Sequence, residues 1–232
     1  MGRSCIATEP QVSRPAAAVF PVSLRIDFVS DVVCPWCAIG LLSLEQALSR
    51  LDGKVRADVR FQPFELNPDM PAGGEDSETY LLRKYGVKGE QLERNRMAIR
   101  QRAAPLGFAF GKRERIYNTF DAHRLLHWAG LEGRQAALKF RLLQAYHSDG
   151  EDIGSHEVLV RLAGDVGLSA ARAHAILESN EFGDAVRERE QFYISRGIHG
   201  VPGVVVNDQH LISGGQPVEV FENALKRIAR VD

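Results

Sequence analysis

The sequence predicts one α/β domain with its strands at the two ends of the chain, in a βαβ half and a ββα half, and a large all-helical insertion between them. Three observations predict it. Strand-like runs concentrate before residue 64 and after residue 198, while helix start and stop signals dominate the stretch between. A Cys-x-x-Cys stands where the first strand run gives way to a helical one.

Each element follows from its own residues. Leu24-Arg25-Ile26-Asp27-Phe28 alternates apolar and charged positions as a half-buried strand requires. Cys37, Leu41, Leu44, Leu48 and Leu51 then fall at spacings of four and three, the stripe of a helix that faces a core. Asp52-Gly53 stops that helix, and Val55, Ala57, Val59 and Phe61 alternate with charged residues as a second strand. Strand, helix, strand implies a right-handed parallel crossover.

In the insertion, residues 65–197, Ser77 is expected to cap a helix ending near Gly86, and Gly89 to Ala104 forms another, stopped by Pro105-Leu106-Gly107. Further helices are expected over Phe120 to Ala129, Gly133 to His147, Ser155 to Val166, Ser169 to Ser179 and Phe182 to Arg196. The chain then returns to strands, Val204 to Val206 and Leu211-Ile212, joined by the polar turn Asn207-Asp208-Gln209. Pro217 opens a terminal helix with Val220, Phe221, Ala224, Leu225 and Ile228 on its apolar face. The sheet-forming domain thus comprises residues 22–64 and 198–232.

Composition narrows the function classes. With 232 residues, 44% of them hydrophobic, the chain can bury a core without disulfide staples. A formal net charge of -1 argues against nucleic acid and anionic membranes as partners. Residues 1–21 read as a disordered tail, because the apolar run Ala16 to Phe20 is short and flanked by Pro15 and Pro21. The expected location is cytoplasmic.

Three cysteines, Cys5, Cys34 and Cys37, are too few for a disulfide framework, and the close pair points to redox chemistry instead. A helix that begins at the motif leaves Cys34 near unpaired backbone N–H groups, which favour a thiolate, and Pro35 fits the first helical position. Cys34 is the expected exposed nucleophile. Cys37, heading the apolar stripe, is the buried resolving thiol, and Pro35 and Trp36 tune the pair. Zinc would need further ligands, and no second Cys or His pair supplies them, so neither metal nor cofactor is expected. Val201-Pro202, directly before a strand, can form a cis bond that presents the Val201 backbone to a substrate. Asn118, Asp121 and His123 are candidates for one wall of a groove, the alternative being a helix start capped by Asn118 or Thr119 with the charged groups in hydrogen bonds. Arg94, Arg96, Arg100, Arg102, Lys112, Arg113 and Arg115 read first as solvated helix faces, and alternatively could attract an acidic thiol such as glutathione.

These residues resemble the DsbA-like thioredoxin superfamily, and most closely its FrnE-like branch. The resemblance covers roughly residues 22–230 and rests on five segments: Ser30 to Cys37, Pro63 to Pro68, Asn118 to Leu125, Gly200-Val201-Pro202, and Ser213 to Pro217. It implies a thioredoxin fold with a helical insertion, a cis Pro202, and exchange with protein or small-molecule thiols and disulfides. Members often have an aromatic residue after the cis proline; Gly203 stands there instead, and is expected to open space for a bulkier partner. The alternative is a glutathione-dependent isomerase or transferase resembling the 2-hydroxychromene-2-carboxylate isomerases. Those enzymes typically have serine where this chain has Cys34, which favours redox chemistry here.

Overall fold

The structure, a computed structural model, describes residues 21–231. The tail expected over residues 1–21 lies, apart from Pro21, outside the described residues, as does Cys5.

Strand β1 (Val22–Ser30) is central in a four-stranded sheet, which explains why its second half is buried on both faces. Its neighbours are β2 (Val55–Pro63), parallel to it from Val22 opposite Val55 to Ser30 opposite Pro63, and β5 (Gly203–Val206), antiparallel with Phe28 opposite Val204. Strand β6 (His210–Ser213) pairs antiparallel with β5 and completes the order β2-β1-β5-β6. The buried Asp27 is tolerated in this strand because the Gln62 side-chain amide donates to it at 2.6 Å.

Helix α1 (Pro35–Arg50) connects the parallel pair and packs beside α9 (Val218–Ala229). Phe28, Cys37, Leu41, Leu44, Val204, Phe221 and Leu225 form the core between these helices and the sheet. A second core belongs to the insertion, where α4 (Phe120–Leu131), α5 (Gln135–His147), α6 (His156–Asp165) and α7 (Ala170–Leu177) bury Leu125, Leu142, Leu159 and Ile176. Helix α8 (Gly183–Ile194) brings Tyr193 against Val29 and Phe64 in a smaller cluster.

The predicted architecture is present: a thioredoxin-like sheet interrupted by helices. Some boundaries differ for physical reasons. Helix α2 (Ser77–Tyr85) is capped by Asp76, whose carboxylate accepts from the Thr79 N–H at 2.8 Å. Ser77 becomes the first helical residue, and its hydroxyl donates to the Arg113 carbonyl instead. The insertion also contains strands: β3 (Glu75–Asp76) and β4 (Arg115–Ile116) form an antiparallel two-residue pairing, too short to leave a sequence period. Helix α3 (Gly89–Ala103) ends, as expected, before the Pro105 turn. Helix α4 runs through Gly130 to Leu131, since one glycine weakens a helix by only about 1 kcal/mol. The turn falls at Gly133, whose φ of 67° suits glycine.

Candidate active site

The first turn of α1 positions the cysteine pair. Cys34 is the N-cap, with extended backbone angles, and Pro35 follows where no N–H is required. The Cys34 carbonyl accepts from the Cys37 N–H at 3.1 Å, so the two thiols lie one turn apart on the same side of the helix. Both are free thiols. Trp36, between them, is 40% exposed and offers a flat apolar surface beside the pair.

Cys34 is less open than the sequence suggested, with 5% of its surface accessible against 0% for Cys37. The covering group is the segment opposite: the Val201–Pro202 bond is cis, and the Cys34 thiol donates to the Val201 carbonyl across 3.7 Å. Gly203 does not open space beside the sulfurs. It begins β5 and is buried, and a Cβ there would stand 3.3 Å from Ile198 Cγ2.

The two thiols differ electrostatically. Hydrogen bonding from the Cys37 thiol holds the Cys34 pKa below that of an ordinary thiol, against the cost of burial, and the backbone N–H groups of Cys37 and Trp36 add to the effect. Burial pushes Cys37 well above the ordinary value, and the neighbouring Cys34 raises it further. Asp31 opposes the Cys34 thiolate by its charge. Its own carboxylate would be disfavoured by burial. His123 and the backbone N–H of Leu66, 2.8 Å away, nevertheless hold its pKa below the usual range. Cys34 should therefore alkylate with a pH midpoint below that of an ordinary thiol, measured with iodoacetamide on the reduced protein. Asp31→Asn should move the midpoint lower still, whereas a rise would contradict this assignment.

Behind the pair, His147 is buried and uncharged. Burial and the nearby Arg113 depress its pKa strongly. Its Nε2 lies 2.8 Å from the Val32 carbonyl and its Nδ1 3.3 Å from Arg113 Nη1, so Nε2 donates and Nδ1 accepts. This fixes the loop that leads into Cys34. The Ser213 to Pro217 motif acts from the other side. A Cβ on Gly215 would meet the Trp36 carbonyl oxygen at 2.7 Å, so only glycine allows this turn to lie against α1. Gly215→Ala should cost about 1–3 kcal/mol in urea unfolding through overpacking. An unchanged midpoint would show that the turn gives way easily.

The candidate groove residues separate. His123 is buried with Nε2 3.6 Å from Asp31 Oδ1. Asn118 accepts from the Phe120 N–H at 2.9 Å and donates to the Met70 carbonyl at 3.2 Å, contacts that hold the start of α4. Asp121 pairs with Arg124 at 2.7 Å and His156 at 2.9 Å. Of the cations, Arg94, Arg96 and Lys112 pair with glutamates and Arg115 with the carbonyls of Gly73 and Gly74. Arg102 reaches the Gly215 carbonyl. Arg113, mostly buried, lies within electrostatic reach of Cys34 and Arg100.

Sequence reasoning passed over Asp31 and Lys139. Asp31 lies in the Ser30 to Cys37 segment, where its sequence neighbours give no sign of its partners. Lys139 shares a helical face with Leu142, Leu143 and Tyr146, a spacing that already sets it apart from a solvated lysine.

Similarity to known proteins agrees with this geometry. The model of the DSBA-like thioredoxin domain matches residues 25–226. The crystal structure of probable DsbA oxidoreductase SCO1869 from Streptomyces coelicolor is 34% identical, covers 88% of this chain and 89% of its own, and superposes with a TM-score of 0.83. Cytosolic disulfide reductase DsbM from Pseudomonas aeruginosa, solved with GSH, shares the fold at 19% identity and a TM-score of 0.62, covering 89% of this chain and 100% of its own. The uncharacterized protein YwbO of Bacillus subtilis (strain 168) is 25% identical over 211 residues, which is 88% of this chain and 96% of YwbO. With a family match across most of its length, this chain belongs to the DSBA-like thioredoxin domain family.

Proposed function

We propose that the chain is a thiol–disulfide oxidoreductase of the FrnE-like branch in which Cys34 attacks and Cys37 resolves. The observation that carries this reading is the geometry of the pair: Cys34 caps α1 with its thiol on the Val201 carbonyl at the cis Val201–Pro202 bond, and Cys37 lies wholly buried one turn on. In the direction that reduces a partner, the Cys34 thiolate attacks the partner's disulfide and one partner thiol leaves. Cys37 then attacks Cys34, the second partner thiol leaves, and the pair holds the disulfide. The partner gains two electrons and the pair loses them. The reverse sequence oxidises a dithiol.

Trp36, exposed beside the pair, and the Val201 carbonyl, held against the Cys34 thiol by the cis bond to Pro202, offer the surface on which a partner would lie. Glutathione suits the site as a small partner or reductant, because Arg113 places positive charge within electrostatic reach of Cys34 for a carboxylate. The reaction proceeds between sulfur atoms and needs no metal or organic cofactor. A cytoplasmic setting, with its glutathione pool, fits this reading. The test is insulin reduction with dithiothreitol beside a glutathione-consuming assay on aromatic substrates. Turnover of insulin supports the proposal; glutathione conjugation or isomerisation without disulfide exchange overturns it in favour of the isomerase class.

A further inference from the structure

The sheet ends on one side at β2, and the phase of its hydrogen bonds fixes which backbone groups face outward. The Val22 N–H donates to the Lys54 carbonyl at the head of the β1–β2 ladder, so the even-numbered positions of β2 continue that ladder. The odd-numbered ones, Ala57, Val59 and Phe61, turn their N–H and C=O groups away from β1. At Phe61 the Gln135 side chain meets them: its Oε1 accepts from the Phe61 N–H and its Nε2 donates to the Phe61 carbonyl, each at 3.0 Å. A residue of an antiparallel neighbouring strand would make the same exchange of two bonds. Further back along the edge, the backbone groups of Val59 and Ala57 have no such partner among the described residues.

Both faces of this edge are hollow. On one, a cavity of about 550 Å³ is bounded by Asp58 and Arg60 of β2, His127 and Leu131 of α4 and Arg189 of α8. On the other, an apolar groove of about 340 Å³ lies against Leu41, Leu44 and Leu48 of α1. Val59 and Phe61 border both. Each hollow falls within the roughly 300–1,000 Å³ of ordinary ligand clefts.

The two faces differ in charge. Arg60 is neutralised by Asp58 at 2.7 Å. Arg189 is exposed, lies 5.5 Å from the Phe192 ring and has no carboxylate partner among the described residues. Burial and Arg189 hold His127 toward its neutral form, so the guanidinium of Arg189 is the uncompensated charge on this side. On the α1 side the one ionisable group is Glu45, at the groove among the leucines, where it opposes a second carboxylate.

We propose that the β2 edge is a docking groove for an extended segment of a partner protein in which apolar and acidic residues alternate. The segment runs antiparallel to β2 and pairs with the N–H and C=O groups of Val59 and Ala57, continuing the ladder that Gln135 opens at Phe61. Successive side chains of a strand point to opposite faces. Its apolar side chains therefore enter the groove over α1, and its carboxylates face Arg189. Leu131, 69% exposed beside the cavity, gains an apolar neighbour. A second copy of this chain is a poorer occupant, because the outward face of its own β2 would bring Arg56 and Arg60, with one aspartate, to Arg189. Neither cysteine takes part. Pro63, at the end of β2, is level with Ser30 just before the cysteine loop, so the residues that precede the docked segment lead toward the cysteine end of the sheet.

The experiment follows the fluorescence anisotropy of a short labelled peptide, alternating valine and glutamate, on titration with the full chain. Saturable binding is expected, and replacing glutamate by lysine in the peptide should weaken it on the order of tenfold. Ala57→Pro removes one outward N–H and leaves the ladder to β1 intact, a placement that an edge strand tolerates. It should weaken binding on the order of tenfold. Arg189→Glu, at an exposed position, should weaken the glutamate peptide on the order of tenfold and strengthen the lysine peptide. Adduct formation between Cys34 and oxidised glutathione should proceed at the wild-type rate in both variants and with the peptide bound. Absence of binding up to about 1 mM peptide overturns the proposal, as does binding that either substitution leaves unchanged. Displacement of the peptide by glutathione would place it at the cysteine pair and overturns the proposal too. A dimer in sedimentation velocity that Ala57→Pro dissociates would give the edge to a second copy instead.

Discussion

Cys34→Ser should reduce disulfide exchange by more than about a thousandfold, to the uncatalysed background, because a serine hydroxyl at neutral pH supplies no comparable nucleophile. The structure gives the reason for so large an effect. Cys37 cannot substitute, since it is wholly buried and its thiolate is disfavoured by burial, whereas Cys34 is stabilised by the Cys37 thiol and by backbone N–H groups. Fold should be unaffected, as a serine hydroxyl is smaller than the thiol and can still donate to the Val201 carbonyl. Insulin turnover and circular dichroism on the same sample separate the two effects. Residual exchange above a tenth of wild type would show that another thiol carries the reaction.

Phe28→Ala should give a large loss of stability, about 3–5 kcal/mol, the range for removing a buried aromatic side chain. Phe28 is wholly inaccessible on the central strand and meets Phe61 of β2 edge to face, with centroids 6.0 Å apart. It also lies under the active-site helix: a Cβ on Gly40 would stand 3.8 Å from its Cζ, and 3.1 Å from Pro202. The cavity would therefore undermine the support of both α1 and the Pro202 turn. Urea unfolding measures it, with the exposed Leu131→Ala as a control expected within about 0.5 kcal/mol. A Phe28→Ala loss under 1 kcal/mol would mean that the core collapses into the space.

The sequence made much of this legible. Alternation along Leu24 to Phe28 marks β1 as a strand, though not the burial of Asp27 on its other face, and the four-three spacing from Cys37 to Leu51 marks the buried side of α1. The cysteine pair was legible because Pro35 and the apolar stripe fix which sulfur faces inward. What escaped was set by partners distant in sequence. Asp31 has a role because Leu66 and His123 come to it from β2's exit and α4. The accessibility of Cys34 depends on Val201, 167 residues away. The β3–β4 pairing is two residues long, below any period that alternation can show. For Asn118 and Asp121 the reading as a helix start with hydrogen-bonded polar groups agrees with their partners, the Phe120 N–H, Met70, Arg124 and His156.

The central claim, that Cys34 attacks and Cys37 resolves, is tested most directly by trapping. Cys37→Ser, reduced and mixed with oxidised glutathione, should give a glutathione adduct at Cys34 that forms ahead of any at Cys5, located by peptide mass spectrometry and stable until a reductant is added. Wild-type protein treated identically should pass to the Cys34–Cys37 disulfide. An adduct located at Cys37 in Cys34→Ser, formed as fast as the one at Cys34, would contradict the claim, as would a Cys37→Ser protein that captures nothing.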